Sequence, residues 1–291
     1  MNIPAWPHTL TIEVATQRAD EQRRDERERA RTPASVYAGG WIACAACVGL
    51  LVLLTRPLHG HLTLDDSLLH GLNGAFAHVP FIGVQTTLLG IDVPQLFLAS
   101  AAVALWFHRP ASRQSRVYVL VAFAAFFATY VLARVLQHVG HRPRPLVNVP
   151  LHPLGDPAAF HQTQAAMSHW GSFPSDHAAL WAIATIVAFA VGRRAGFVFL
   201  AIGLYLSALR VGFGYHWPSD IAGGAALGCA IILVLLAIAN ASRSLIDRIL
   251  AFGQARPSIA AVVSFVVLSE FADAFHFTQM IASSLHTRLF H

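Results

Sequence analysis

Six apolar runs of roughly 15 to 25 residues divide this chain, and they narrow its choice of fold more than any other feature. They cover 37–55, 84–107, 117–139, 175–191, 197–211 and 218–239. About 20 apolar residues cross the hydrocarbon core of a bilayer as a helix, and lipid offers the backbone no hydrogen bonds. Each run therefore predicts a helix. With 55% hydrophobic and 12% charged residues, a water-soluble domain of this length would lack the charge its surface needs. The expected fold is all-α: a polytopic membrane helical bundle of six core transmembrane helices with short interfacial helices.

The formal charge of +5 rests entirely on arginine, since the sequence contains no lysine. These arginines lie in short loops rather than along one basic stripe, which argues against nucleic acid as a partner and for an orientation in a bilayer. Arg109, Arg113 and Arg116, then Arg193 and Arg194, then Arg243, Arg248 and Arg256 fall on one side. The positive-inside rule makes that side cytoplasmic. The other side receives Arg56, Asp65, Asp66, the long stretch 140–174 and the turn 212–217. The lipid bilayer is the expected partner; the sequence leaves the oligomeric state open.

Residues 1–36 read as a charged cytoplasmic tail, with six arginines against six acids between Glu13 and Arg31. Residues 37–240 hold the six spans, and 241–291 form a C-terminal extension. Leu64, Leu68, Leu69, Leu72 and Phe76 recur at helical spacing, which predicts a short amphipathic helix in the outer interface over 64–77. A cytoplasmic counterpart is expected over 242–252. The segment 258–277 is open between a seventh span and a surface helix, because Glu270 and Asp273 would be costly in lipid. Cys44, Cys47 and Cys229 lie inside apolar runs and read as small membrane-embedded residues rather than a redox or metal site. Gly224 and Gly228 form a G-x-x-x-G pattern that fits close helix packing.

Polar residues collect where spans end on the outer side. One cluster runs from Gln137 through His138, His141 and Arg142 to Arg144 and Pro145. A second is Pro174-Ser175-Asp176-His177, and a third runs from Arg210 through His216 to Asp220. The orientation comes from other loops, yet all three clusters land on one face. The planar donor forks of Arg144 and Arg210 suit a tetrahedral oxyanion. Ser175 and Asp176 open the fourth span, where free backbone N–H groups and the helix dipole favour an anion. His177 follows in that first turn, close enough to exchange a proton with the cradle's occupant. Asp220, four residues after His216, can fold back to hydrogen-bond one imidazole nitrogen while the other attacks.

Plainer readings exist for each element. Arg142 reads as an arginine snorkelling to headgroups, Pro-Ser-Asp as a helix cap, and His59, His61, His70 and His78 as interfacial side chains. His152, His161 and His169 are too irregularly spaced for a metal site, so no metal and no other cofactor is expected. To dismiss all three clusters, the plain reading must hold several times over on one face. A shared anion site is the stronger expectation.

These residues resemble the signature of the type 2 phosphatidic acid phosphatase superfamily, which reads Lys-x6-Arg-Pro, then Pro-Ser-Gly-His, then Ser-Arg-x5-His-x3-Asp. Arg144 and Pro145 meet the first motif, Pro174, Ser175 and His177 the second, and Arg210, His216 and Asp220 the third at its spacings. The resemblance covers 37–239 and implies a metal-independent membrane lipid phosphatase working through a phosphohistidine. It makes His216 the expected nucleophile and Asp220 its orienting partner. It gives His177 the task of protonating the leaving group and later activating water. Arg144, Arg210 and Ser175, with the backbone N–H of Asp176 and with Gln137 at the lysine position, are the expected phosphate-binding set.

Three residues depart from the signature: Gln137 replaces the lysine, Asp176 the glycine, and Leu209 the serine before Arg210. Arg134, one turn before Gln137, is a candidate to supply the missing cation. The Asp176 carboxylate must turn away from phosphate to cap the helix or meet an arginine. The Pro-Ser-Asp-His form resembles that of bacterial undecaprenyl diphosphate phosphatases, which implies that substrate, a bacterial-type inner membrane and a periplasmic site. Phosphatidic acid and phosphatidylglycerol phosphate are the alternative substrates. A vanadium-dependent haloperoxidase resembles the same motif set, but such enzymes are typically soluble. A non-catalytic lipid-binding member of the fold is the other rival, and the three departures favour it.

Overall fold

A computed structural model describes residues 32–55, 63–80, 82, 92–107, 113–140, 142–168 and 171–272. The expected tail up to Arg31, the first part of the second apolar run, Arg56, Arg109, His59, His61, His141, His169 and everything from Asp273 lie outside the described residues. Among those described there are helices and connecting turns, with no β-strand. In chain order the helices are α1 (Ala34–Thr55), α2 (Leu64–Ala77), α3 (Asp92–Phe107), α4 (Arg113–Gly140), α5 (Pro145–Asn148) and α6 (Pro157–Met167). Then come α7 (Asp176–Val191), α8 (Arg193–Gly212), α9 (Pro218–Ala241), α10 (Arg243–Ala255) and α11 (Pro257–Ala272).

Four of these are long and apolar enough to cross a membrane: α1, the run that begins with α4, α8 and α9. This makes the chain a multi-pass membrane protein of the all-α class. The expected count of six is not reached among the described residues. Helix α7 has 16 residues, about 24 Å at 1.5 Å per residue, short of a hydrocarbon core of about 30 Å. The chain before it turns at Ser175 to build a polar loop instead of lengthening the helix. Most of the first half of the second expected span lies outside the described residues; within α3 the apolar stretch described is Phe97–Trp106. Helices α10 and α11 together could make a fifth span, but they meet at a bend of 109°. They form no single straight span. Helix α11 packs against α3 and leaves Val262 and Phe265 exposed.

Helix α9 is the hub, packed against α1, α7 and α4. Its Ile232, Leu233 and Leu236 are fully buried, opposite Ile183 of α7 in the same apolar core. Close approach is allowed by what α9 lacks. A methyl group on Gly224 would run into the Ser175 carbonyl, and one on Gly228 into the Ala179 carbonyl. The G-x-x-x-G pattern is therefore the seam along which the α7 and α9 backbones touch. On α4, Ala125, Thr129, Ala133 and Gln137 are all buried at four-residue intervals. That stripe carries the core up to the outer cluster and ends in it.

The two ends of the bundle carry different polar groups. At one end Arg113 opens α4 and pairs with Asp247 of α10 at 2.6 Å, while Asn240 of α9 donates to the Tyr37 hydroxyl of α1 at 2.7 Å. At the other end the three polar clusters meet. Helix α2 has the predicted bounds but does more than lie along an interface. Its Asp65, Leu69 and Asn73, spaced by four, are buried, and the helix packs against α8. Asn73 donates to the carbonyls of Gly212 at 2.9 Å and His152 at 3.1 Å, and accepts from the His152 N–H at 2.9 Å.

The glycine seam gives a direct check. Gly228→Leu should cost about 1–3 kcal/mol or more by overpacking, read as a lower unfolding temperature in detergent. Gly39→Leu, which enters open space, should leave that temperature unchanged.

Candidate functional site

Three backbone hydrogen bonds stitch the polar clusters together before any side chain acts. Ser172 N–H donates to the Arg142 carbonyl at 2.8 Å, Leu146 N–H to Gly214 at 2.9 Å, and Ser175 N–H to Asp220 at 3.0 Å. Gly214 sits at φ +73°, a left-handed turn that suits glycine and swings the chain from α8 into Tyr215 and His216. Pro218 then starts α9, with Asp220 at its third position accepting the Trp217 N–H at 2.8 Å. The N-terminus of α7 is capped by Ser175, whose hydroxyl accepts from Ala178 N–H at 3.3 Å.

His216 is 1% exposed. Its Nδ1 stands 2.9 Å from the Ser172 carbonyl, which can only accept, so Nδ1 carries the proton and Nε2 keeps its lone pair. Asp220, the expected partner, stands one step back. Its Oδ2 is 3.7 Å from Nδ1, and its Oδ1 accepts from Arg142 at 2.8 Å. No sequence pattern marks Ser172, because the contact uses its backbone. Burial lowers the His216 pKa and Arg144 adds to this, while Asp220 and Asp176 act in the opposite direction. The net result favours a neutral ring.

His177 is held in a similar way. Its Nδ1 lies 2.8 Å from Asp176 Oδ1, which also accepts the His177 N–H at 2.8 Å. Its buried Nε2 has no hydrogen-bond partner. Both imidazoles thus have Nδ1 pinned and Nε2 unused. The second carboxylate oxygen of Asp176 is 3.3 Å from Arg134 Nη2, so the residue at the glycine position does meet an arginine. Arg134 also donates to Gln137 Oε1 at 3.2 Å and lies over the Tyr130 ring at 5.0 Å. Gln137 in turn donates to the Pro174 carbonyl at 2.8 Å and is 2% exposed. Neither matches its expectation: Gln137 braces the 171–175 loop instead of facing an anion, and Arg134 is engaged with Asp176 instead of standing in for a lysine.

The arginines divide into two kinds. Arg134 is paired with Asp176, and Arg142 is paired with both Asp65 at 3.0 Å and Asp220 at 2.8 Å. Arg142 was expected to snorkel; it is instead a clasp between α2 and α9. Arg144 and Arg210 have no carboxylate partner among the described residues. Arg144 donates to the carbonyls of Tyr215 at 2.9 Å and Gly171 at 3.2 Å, and its buried Nε is unpaired. Arg210, in the last turn of α8, makes no hydrogen bond or ion pair among the described residues. Burial pushes the Tyr215 phenol up, while Arg210 and Arg144 both pull it down, so the two guanidiniums share its surroundings. His216 feels Arg144, Asp220 and Asp176. The fields of Arg144, Asp176, Arg210, Tyr215, His216 and Asp220 thus reach one another at this end of the bundle.

Among the described residues no group of three His, Cys, Asp or Glu side chains is placed to hold a metal ion. His152 and His161 are exposed, and His161 Nδ1 lies 3.4 Å from Gln164 Oε1. Leu209 is buried in the apolar core. Sequence reasoning missed Ser172, and it missed the buried role of Asp65. A signal for Asp65 existed, since it shares one helical face with Leu69 and Asn73.

At one end of the helical membrane bundle stand two imidazoles with Nδ1 held and two guanidiniums without an ion pair among the described residues. Residues 117–244 match the model of the PAP2 superfamily. The chain is also 26% identical over 134 residues, 45% of its length, to the bacitracin transport permease protein BcrC of Bacillus licheniformis. It spans about 60% of the length of that relative. No solved structure matches.

The Arg134–Asp176 pair yields a cycle. Arg134→Ala should cost about 1–3 kcal/mol by leaving a buried carboxylate without its cation. Asp176→Asn in the same chain should recover most of that loss in thermal unfolding.

Proposed function

We propose that this protein is a metal-independent lipid phosphatase that passes the phosphoryl group through His216. One observation carries the reading: of the four arginines at the site, the two without carboxylate partners are the two that the motifs assign to phosphate. Positive charge left uncompensated beside two free imidazole nitrogens suits a phosphoryl group, whose transfer is catalysed chiefly by fixed donors around its oxygens.

In this mechanism Arg144 and Arg210 hold the phosphoryl oxygens at the N-terminus of α7. The His216 Nε2 lone pair attacks phosphorus; a P–N bond forms and the P–O bond to the lipid breaks. Burial and the Arg210 guanidinium pull the His177 pKa down to about 4; a phosphoryl group bound beside it offsets Arg210 and lets Nε2 take up the proton that it gives to the leaving oxygen. The same nitrogen then takes a proton from water, whose oxygen attacks phosphorus and displaces His216. Inorganic phosphate leaves, and His177 is again protonated. Ser172 and Asp220 hold the nucleophile, and Asp176 holds His177 with Nε2 towards the reacting groups.

The site sits where spans end, at the membrane surface opposite the arginine-rich end. That favours a substrate anchored by acyl or isoprenoid chains and a site on the outer, periplasmic face of a bacterial-type inner membrane. Undecaprenyl diphosphate is the preferred substrate, on the strength of the Pro-Ser-Asp-His form. Phosphatidic acid and phosphatidylglycerol phosphate are the next candidates.

Phosphate release from a panel of these lipids, by detergent-solubilised protein with chelator present, tests the reading. His177→Ala should lower kcat about 10²–10⁴-fold, as for loss of a general acid and base, and His216→Ala should abolish turnover. A His216→Ala variant as active as the parent would exclude the assignment. Burial lowers the His216 pKa, and attack needs its neutral form. The acid limb of kcat/KM should therefore be centred below about 6.5, the ordinary histidine value. An acid limb of kcat/KM centred above 7 would contradict this.

A further inference from the structure

We infer that Asp65 and Arg142 are positioning residues for the His216 reaction, tying the docked helix α2 to the nucleophile. The inference rests on the phosphatase reading above. It concerns a residue, Asp65, that lies outside the 117–244 segment matched to the superfamily.

Asp65 is 2% exposed, yet it carries a carboxylate. Every contact it makes leads towards the site. Oδ1 accepts the Ser219 N–H at 2.8 Å, and Oδ2 accepts from the Ser219 hydroxyl and from Arg142 Nη2, the latter at 3.0 Å. Ser219 is the second residue of α9. Its N–H has no partner within its own helix, so Asp65 caps α9 from a neighbouring helix and places negative charge at the positive end of its dipole.

Arg142 continues the chain of contacts on both sides of His216. Its Nη1 donates to the Ser219 hydroxyl at 2.7 Å and to Asp220 Oδ1 at 2.8 Å, and its guanidinium lies over the Trp217 ring at 5.3 Å. Its backbone carbonyl accepts the Ser172 N–H at 2.8 Å. The two acceptors facing His216 Nδ1 are the Ser172 carbonyl at 2.9 Å and Asp220 Oδ2 at 3.7 Å. Arg142 stands behind both, one through its backbone and one through its side chain. Asp65 in turn anchors Arg142, and α2 is itself held by Asn73 and Leu69.

The network acts on the angle at which Nε2 meets phosphorus, not on lipid binding. Small displacements of a reacting group cost about 10²-fold in rate. Removing the Asp65 charge leaves Arg142 with Asp220 alone and frees the start of α9 to shift. The expected signature is a slower chemical step with unchanged KM.

Rapid-quench labelling tests this with ³²P-labelled undecaprenyl diphosphate and ³²P-labelled phosphatidic acid in mixed micelles. An alkaline quench preserves phosphohistidine. The full-length parent is compared with Asp65→Asn, Arg142→Lys and the double variant. Asp65→Asn keeps an acceptor for Ser219 N–H, and Arg142→Lys keeps the charge, so each preserves much of the packing. Either single change should slow phosphoenzyme formation about 10–100-fold, with labelling amplitude per folded molecule and KM unchanged. The double variant should be no slower than the slower single, because both act through one network. Labelling at the parental rate in both single variants would overturn the inference. So would lower amplitude at the parental rate, the mark of a merely structural role. A parent labelled by neither lipid would remove the phosphatase reading and this inference with it; a labelled parent with unaltered variants would remove this inference alone.

Discussion

Charge at the end of an apolar bundle must be either compensated or put to use, because burying an unpaired ion is expensive. Four arginines and three carboxylates meet at the outer end of this protein. Arg134 is matched by Asp176, and Arg142 by Asp65 and Asp220 together. Arg144 is held by backbone carbonyls only, and Arg210 by no described group. The surplus is positive and local. Such a surplus favours an anionic ligand, and in the proposed reaction the two histidines beside it act on that ligand.

The bundle supplies the rigidity that such a pocket needs. Glycines 224 and 228 let α9 lie against the backbone of α7, so the starts of the two helices that carry His177 and Asp220 are fixed relative to each other. Ser175 N–H to the Asp220 carbonyl then joins them directly at 3.0 Å. Helix α4 delivers Gln137 into the same layer, where it ties the loop bearing Ser172. Together these contacts fix the backbone that carries the two imidazoles. Placing functional groups on packed helix ends is a general way to hold them to within a fraction of an ångström.

Much of this was visible in the sequence, and the divide between visible and hidden is physical. Helix α2 appeared over its full range because its apolar residues recur at helical spacing. Arg210, His216 and Asp220 stood out as candidates because their spacing within one turn region is short and fixed. Contacts across the fold were not found. The Ser172 carbonyl at His216 involves a backbone atom, which no residue type announces. Asp65 and Arg142 are 77 positions apart, so only the docking of α2 brings them together. Arg134 and Gln137 misled for a related reason: helical spacing showed that they share a face, but not that Asp176 and Pro174 occupy it. Helix α7 is shorter than the hydrocarbon core because it begins at the site itself, and composition alone does not reveal where a helix is cut to make room for a loop.

If the proposed reaction holds, the Nε2 nitrogens of His177 and His216 and the guanidiniums of Arg144 and Arg210 surround a single anion. A structure of the protein with orthovanadate bound tests this most directly. Vanadium is expected bonded to His216 Nε2, its oxygens against Arg144 and Arg210, and His177 Nε2 within hydrogen-bond reach of an apical oxygen. Vanadate bound elsewhere, or a His216 ring that presents Nδ1 to the metal while Arg210 turns towards lipid, would contradict it.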